Sequence, residues 1–140
     1  MARRSRAREV VLQILYQQDL NPQPDLDGAN AFVSGRLNHD EELVRFATSL
    51  LSGVLRNRDE LDELLSSAAD NWSLERMAVT DRNVLRLGAF EILYTATPGR
   101  VAINEAVELA KRFGARQSPQ FVNGVLDQLL NPSPEEREVE

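Results

Sequence analysis

Apolar residues recur along most of this chain with the period of an α-helix. The clearest run lies at about residues 40–57, where apolar side chains follow i, i+3, i+4, i+7 spacing and form one stripe. The members of that stripe are Leu43, Phe46, Ala47, Leu50, Leu51, Val54 and Leu55. No segment alternates apolar and polar residues over the length that a β-strand needs. The pattern therefore predicts an all-α protein.

The same period predicts the other helices. They span about residues 5–20, 58–69, 73–77, 80–95, 101–113 and 118–129. Residues 21–40 hold two prolines and two glycines, which predict a loop with one helical turn around residues 29–37. We expect a compact bundle of about seven helices in a single domain, residues 1–131, with halves of roughly 1–57 and 58–131. The glutamate-rich residues 132–140 are expected to form a flexible tail.

Small residues predict where helices approach one another or end. Gly88-Ala89 lies in the apolar stripe of the helix at 80–95 and would let another helix come close. Gly114 stands where a helix C-cap needs positive φ, and Ser118-Pro119 supplies an N-cap hydroxyl and a proline for the next helix. Inside that helix, the glycine of Asn123-Gly124 costs about 1 kcal/mol relative to alanine. We therefore expect close backbone approach there, with the Asn123 amide bonding across the helix junction.

Charged and polar residues are expected on the solvent sides of the helices. In the first helix these are Glu9, Gln13 and Gln17, opposite an apolar face of Ala7, Val10, Val11, Ile14 and Leu15. In the helix at 80–95 they are Asp81, Arg82 and Arg86. The acidic cluster Asp59, Glu60, Asp62 and Glu63 suits the first turns of a helix and is expected to be a solvated face. The single tryptophan, Trp72, is expected to anchor the core or the junction of the two halves.

Composition removes several functional classes. The 140 residues include no cysteine and one histidine, so the chain offers no disulfide, no thiolate metal site and little imidazole chemistry. It contains no glycine-rich phosphate loop, HExxH or GxSxG motif. No apolar run is long enough for a membrane span, and polar residues interrupt any signal-peptide pattern after the first arginines. We therefore expect a cytoplasmic binding protein without metal, cofactor or enzymatic activity.

The distribution of charge is more informative than the net charge of −6. The first eight residues carry no acid and four arginines: Arg3, Arg4, Arg6 and Arg8. Fifteen of the sixteen basic residues are arginines, whose planar guanidinium pairs with phosphate through two N–H groups and stacks on bases. On the residues alone, a phosphate-binding segment and a solvated terminal arm are equally good interpretations.

Two aromatic residues are candidates for stacking on unpaired bases. Tyr16 lies two turns after Arg8, about 80° around the helix, so both can border one surface. Phe121 lies near the start of the last helix, where it could be partly exposed. The alternatives are a tyrosine at the rim of the core and a phenylalanine inside it, and the spacing leaves them open.

Three segments in the same order carry a resemblance to a known family. VAINEAVELAKRFG followed by SPQFVNGVLD looks like the C-terminal signature of the NusB family of bacterial transcription antitermination factors. Residues 3–16 resemble the first helix of that family, and residues 80–94 resemble its fifth. The resemblance covers nearly the whole chain outside residues 21–40 and the tail.

The resemblance implies a function and a set of contact residues. NusB proteins bind single-stranded boxA RNA in ribosomal RNA leader transcripts, together with the small-subunit ribosomal protein that serves as NusE, and help RNA polymerase read through terminators. By matched position, the implied RNA-facing residues are Arg6, Arg8, Tyr16 and Phe121, and those toward the NusE-type partner are Asp81 and its neighbour Arg82. We add Arg3, Arg4 and Arg116 to the expected RNA contacts because their positive charge favours phosphate. The chain departs from the family at Ser5, which interrupts the arginine run, and at Arg116-Gln117, which replaces an acidic pair.

Two other functions remain open from the sequence. One is an RNA-targeting module related to those that precede ribosomal RNA cytosine methyltransferases, and the other is a helical protein–protein adaptor without RNA binding. The oligomeric state is also open, because apolar helix faces could pair two copies as a homodimer. The resemblance implies that family members occur as monomers and as dimers.

Overall fold

The computed structural model describes residues 3–22, 27–69 and 73–132. Within these residues the chain forms seven α-helices, one short 3₁₀ helix and no β-strand, which confirms the all-α prediction. The helices are α1 (Arg3–Leu20), α2 (Asp27–Arg36), α3 (Glu41–Arg56), α4 (Arg58–Ala68), α5 (Val79–Tyr94), α6 (Gly99–Phe113) and α7 (Ser118–Leu130). The 3₁₀ helix, Leu74–Arg76, is capped by Ser73 as expected. The expectations for Trp72 and for residues 133–140 concern positions outside those described.

The first compact unit, residues 1–56, contains α1, α2 and α3, and each of these helices packs against the other two. The apolar face predicted for the first helix is buried, and so is most of the stripe predicted for α3. Ala7, Val10, Val11 and Ala47 are completely enclosed. The unit therefore presents α1 and α3 side by side, which decides where the N-terminal arginines lie.

Helix α2 occupies a segment that the sequence predicted to be a loop with a single helical turn. Its ten residues bury Val33, and Leu37 just beyond the helix is also buried. Burial of such a side chain contributes roughly 1.5–3 kcal/mol, more than the ~1 kcal/mol that a glycine such as Gly28 or Gly35 costs in a helix. Tertiary packing therefore outweighs local propensity, and positive φ angles at Asn38 and His39 follow the end of the helix.

The second compact unit, residues 57–140, is arranged around α5. This helix contacts α4, α6 and α7, and its nine consecutive residues 83–91 are all buried. Gly88 lies in that stretch, where an added Cβ would be 2.7 Å from Leu126 Cδ1 and 3.3 Å from the Cβ of Ala106. The predicted close approach at Gly88 is therefore confirmed, and α7 and α6 supply the neighbouring atoms.

Two predictions about the α6–α7 connection are wrong in detail. Gly114 has φ −95° and ψ −174°, an extended conformation and not the left-handed one. Lack of space favours glycine at position 114, because a Cβ there would be 2.7 Å from Ser118 Oγ and 2.8 Å from the Ala110 carbonyl oxygen. Gln117 occupies the N-cap of α7, and Ser118 Oγ instead accepts a hydrogen bond from the Ala115 N–H at 2.9 Å.

The prediction of close packing at Asn123-Gly124 is also wrong. Both residues are exposed, and a Cβ added to Gly124 would meet nothing within 4 Å. The buried side of α7 is formed by Val122, Val125 and Leu126. Asn123 and Gly124 therefore lie on the open side of the helix.

Arg86 and Asp62, both expected to face solvent, form an ion pair between α5 and α4. Arg86 Nε donates to Asp62 Oδ1 at 2.7 Å, and a second guanidinium nitrogen donates to Oδ2 at 2.9 Å. A third bond at 3.1 Å reaches Asn83 Oδ1. Arg86 is buried, whereas the Asp62 side chain keeps 28% of its exposure. The helical period placed these residues away from the apolar stripe but gave no sign of the partner.

Candidate nucleic-acid interface

The N-terminal arginines, Arg3, Arg4, Arg6 and Arg8, lie in the first two turns of α1, where the chain packs against α3. Arg4 Cζ lies 4.4 Å from the centroid of the Phe46 ring, and Arg8 Cζ lies 5.2 Å from it. Arg4 is exposed, whereas Arg8 is only 4% exposed. A phenyl ring attracts a guanidinium by its charge but has no oxygen or nitrogen that accepts the N–H donors. Arg4 can therefore rest on the ring and still offer donors to an anion.

Arg3 is held by a carboxylate at the start of α3. Its guanidinium donates to Asp40 Oδ2, and Asp40 Oδ1 accepts the Leu43 N–H at 3.1 Å, which makes Asp40 the cap of α3. The Leu43 N–H, followed by the Arg3 guanidinium, keeps the pKa of the Asp40 carboxyl below its usual value. Asp40 is therefore ionised at neutral pH, and a phosphate would have to compete with it for Arg3.

Arg6 is held by Glu9, one turn further along α1. The distance from its guanidinium nitrogen to Glu9 Oε2 is 2.9 Å, and Glu9 is buried. The expectation that Glu9 lies on the solvent side is therefore wrong, and Gln13 is likewise half-buried. Arg6 provides the opposite charge that a buried carboxylate requires. Like Arg3, Arg6 would have to exchange a carboxylate for a phosphate.

Tyr16 lies on α1 and is 41% exposed. It is eight residues beyond Arg8, a distance of about 12 Å along a helix. Its ring is open enough for a base to stack on it, so the structure agrees better with a surface role than with a purely structural one. The assignment of Tyr16 to RNA contact stays a prediction.

In the second unit, Phe121 and Asp81 line one groove of about 500 Å³ together with residues that include Met77, Gln117 and Gln120. We call this the α5–α7 groove. Phe121 is half-buried, so it is neither a full core residue nor a fully exposed platform. Asp81 Oδ1 is buried and has no hydrogen-bond partner among the described residues. The groove therefore brings together one residue predicted for RNA and one predicted for a protein partner.

The remaining predicted contact residues lie near that groove in the chain. Arg82 donates to the Leu74 carbonyl at 3.1 Å, so part of its guanidinium holds the 3₁₀ helix in place. Arg116 is exposed in the turn before α7. Phe121, Asp81, Arg82 and Arg116 all belong to the second unit, whereas the N-terminal arginines and Tyr16 belong to the first. A groove shared by both sets stays a prediction.

Phe46 is the residue of this surface that the sequence analysis missed. It was assigned to the apolar stripe of α3, and in the structure it is half-buried beneath two arginines. The four-residue spacing of Arg4 and Arg8 indicates a common helix face. The spacing carries no information about which helix packs against that face, so the contact with Phe46 could not be predicted from the sequence.

Two features of the described residues bear on other functions. No helix in this part of the chain combines the length and the apolarity needed to cross a membrane. The same residues contain no group of three or more acidic or histidine side chains placed to hold a metal ion.

The helices and the arginine-bearing face of α1 define a small all-helical protein with a cationic, aromatic-supported surface of the kind that suits nucleic acid. Residues 5–131 match the NusB family. The chain belongs to that family, as its sequence motifs predicted.

Relatives and solved structures agree over nearly the full length. The transcription antitermination protein NusB of Anaeromyxobacter dehalogenans strain 2CP-1 is 43% identical over 136 residues, which is 97% of this chain and 96% of that protein. The structure of T. maritima NusB is 35% identical with a TM-score of 0.82, covering 100% of this chain and 99% of that one. A chain from a crystal structure of the antitermination factors NusB and NusE in complex with dsRNA is 27% identical, with a TM-score of 0.79 and coverage of 95% and 99%.

Proposed function

We propose that this protein is a non-enzymatic transcription antitermination factor that binds single-stranded boxA-type RNA together with a NusE-type ribosomal protein. The observation that carries this proposal is the N-terminal face of α1 in a chain that belongs to the NusB family. Four arginines lie within two turns there, although the net charge of the chain is −6. This local concentration suits a phosphate chain, because arginine supplies paired N–H donors at fixed geometry.

Bases and backbone would be bound by different groups. Arg4 and, after exchange, Arg3 and Arg6 would neutralise phosphates, and Tyr16 would stack on an unpaired base. Arg8 is buried, so it would add positive charge to this surface without touching a phosphate directly. Single-stranded RNA fits this division of labour because its bases are free to leave their stack. Phe121 and Arg116 of the second unit are proposed as further RNA contacts.

The protein partner is assigned to the groove that contains Asp81. A buried carboxylate oxygen without a hydrogen-bond partner is costly, and a donor from a docked protein would satisfy it. A related NusB chain occurs with NusE and RNA in one crystal structure. We infer that residues 1–131 act as one domain in the cytoplasm, where a complex with NusE and RNA would help RNA polymerase pass terminators.

Titration of labelled boxA-like RNA tests this function. We expect saturable binding of the single strand that weakens with salt and tightens when the NusE-type protein is added. The same RNA annealed to its complement is the necessary comparison, because a related complex contains double-stranded RNA. Absence of binding to both RNAs at low salt, with and without the partner, would eliminate the proposal and leave the adaptor function.

Tyr16→Ala tests the stacking contact. Loss of a base platform costs about 1–3 kcal/mol, so single-stranded RNA should bind roughly fivefold to 150-fold more weakly. Leu20→Ala is the matched control, since Leu20 is 59% exposed on the same helix and has no assigned contact. Both variants should keep the wild-type Tm within a few degrees. Equal RNA affinity of the two variants would remove Tyr16 from the site.

A further inference from the structure

Phe46 of α3 supports two of the N-terminal arginines at once. The guanidinium carbons of Arg4 and Arg8 lie 4.4 Å and 5.2 Å from the centroid of its ring. Both distances are within the ~6 Å range of a cation–π contact. The ring is half-buried, so it belongs partly to the packed interior and partly to the surface.

The two arginines differ in what they can offer to a ligand. Arg8 is buried and belongs to the enclosed part of this contact, whereas Arg4 is exposed. They are one helical turn apart on α1 and therefore point to the same side. The Phe46 ring and Arg8 therefore lie on the inner side of this contact, and Arg4 lies on its solvent side.

Arg4 is also held in a different way from its neighbours. Arg3 pairs with Asp40 and Arg6 pairs with Glu9, so each must leave a carboxylate before it can bind a phosphate. The ring of Phe46 attracts the guanidinium of Arg4, whose central carbon lies 4.4 Å from the ring centroid, but the ring offers no oxygen that would compete for the N–H donors. Within residues 3–22, 27–69 and 73–132, no carboxylate pairs with Arg4, whereas Arg3 and Arg6 each have one.

A guanidinium that is oriented before the RNA binds should bind a phosphate more tightly. A flexible arginine loses much rotamer freedom when it is fixed on a ligand. A guanidinium that already rests on a ring has lost part of that freedom on folding, so less is lost on binding. The effect requires an aromatic face, and a side chain of similar size without π electrons would not reproduce it.

We propose that Phe46 is a positioning residue for RNA binding, which orients the Arg4 guanidinium for a phosphate without touching the RNA itself. This inference rests on the proposed RNA-binding function. The half-buried Phe46 ring would then have a role beyond packing. Arg4 would differ from Arg3 and Arg6 in being oriented for a phosphate before the RNA binds.

Three variants of the full chain test the role of the ring. Phe46→Leu keeps an apolar side chain of similar bulk but removes the aromatic face, and Phe46→Tyr restores the face. Leu55→Ala is the matched control, because Leu55 is also half-buried on α3 and lies about 180° around the helix from Phe46. We expect Phe46→Leu to weaken binding of single-stranded boxA-like RNA by about three- to tenfold. Phe46→Tyr and Leu55→Ala should bind as the wild type does.

A double-mutant cycle with Arg4→Ala links the effect to this arginine. If Phe46 acts through Arg4, Phe46→Leu should cause little further loss of RNA affinity in the Arg4→Ala background. In Arg4→Ala, the plot of log affinity against log salt concentration should also be flatter, with a slope about 0.7 smaller for the one phosphate contact that is lost to a single strand. In the free protein, the NMR signal of the Arg4 side-chain Nε–H should lose its ring-current shift in Phe46→Leu and regain it in Phe46→Tyr.

The outcomes separate this inference from the proposed function. If the wild type binds RNA and Phe46→Leu binds equally well, the positioning role is rejected while the RNA-binding function stands. A loss that Phe46→Tyr does not restore, or that adds fully to the loss from Arg4→Ala, also rejects it, because such a loss reports packing. If the wild type does not bind RNA at all, the proposed function fails and the inference falls with it.

Discussion

Gly88 and Gly124 are both interior helix residues with opposite surroundings. A Cβ on Gly88 would collide with Leu126 of α7 and press on Ala106 of α6, whereas a Cβ on Gly124 would meet nothing within 4 Å. Replacement by alanine favours a helix by about 1 kcal/mol in either case. Only at Gly88 does packing oppose that gain.

Gly88→Ala should lower the free energy of unfolding by up to about 2 kcal/mol, because overpacking of a dense core costs about 1–3 kcal/mol and the gain in helix propensity offsets about 1 kcal/mol of that cost. Gly124→Ala is the matched control and should raise it by about 0.5–1 kcal/mol. Urea denaturation of both variants measures the difference. Stabilisation of the protein by both substitutions would show that the α5–α7 contact is looser than the distances indicate.

The sequence predicted contact at both glycines and was right at one. Glycine permits two helices to approach closely but does not cause them to do so. Whether they approach depends on where the neighbouring helix packs. The same limit explains the errors at Glu9 and Arg86. Each polar residue was assigned to solvent by its angle around the helix, and each is buried. The partner of Arg86 lies on another helix, which the spacing does not reveal. The partner of Glu9 is Arg6, three residues earlier on α1, so the spacing indicates the ion pair but not its burial.

At the scale of elements, the ion pair between Asp62 and Arg86 joins α4 to α5. Two parallel hydrogen bonds connect the carboxylate and the guanidinium, and Arg86 is the more deeply buried partner. Loss of the carboxylate would leave a buried positive charge with only its other contacts, such as Asn83. Loss of the arginine would leave a carboxylate that water can still reach.

Asp62→Ala should therefore destabilise the protein by about 3 kcal/mol, more than Arg86→Met does. The double variant should recover part of the loss, because it contains no unpaired charge. Thermal or urea unfolding of the three variants provides the comparison. If Arg86→Met were the most damaging of the three, packing of the arginine stem would outweigh its charge.

Helices with a long apolar period could be predicted from the sequence, and α3, α5, α6 and α7 lie close to their expected positions. Helix α2 could not, because its glycines and its short apolar pattern indicate a loop until Val33 and Leu37 find a surface to bury against. For the candidate site, the arginines and Tyr16 were identified from the sequence. Phe46 was not, since its role depends on which helix α1 packs against.

At the scale of the whole molecule, an anionic chain is proposed to bind a polyanion. The net charge of −6 opposes RNA at long range, and the N-terminal arginines attract it only within about 10 Å at ordinary salt. We expect a plot of log affinity against log salt concentration with a slope between about −1.4 and −2.8, for two to four phosphates at about −0.7 each. Asp40→Asn, which keeps a capping side chain for α3, should release Arg3 and steepen the slope. A slope near zero would show that stacking, and not charge, carries the affinity.

The carboxylates beside Arg3 and Arg6 also affect which anions can stay bound. A lone nucleotide that displaces Asp40 or Glu9 swaps one neighbour for another and gains little. A strand gains more, since each further phosphate is tethered to the first and arrives at high effective concentration. Small anions abundant in a cell would therefore not displace these two carboxylates, and the length of the RNA strand would serve as a criterion of selection at Arg3 and Arg6.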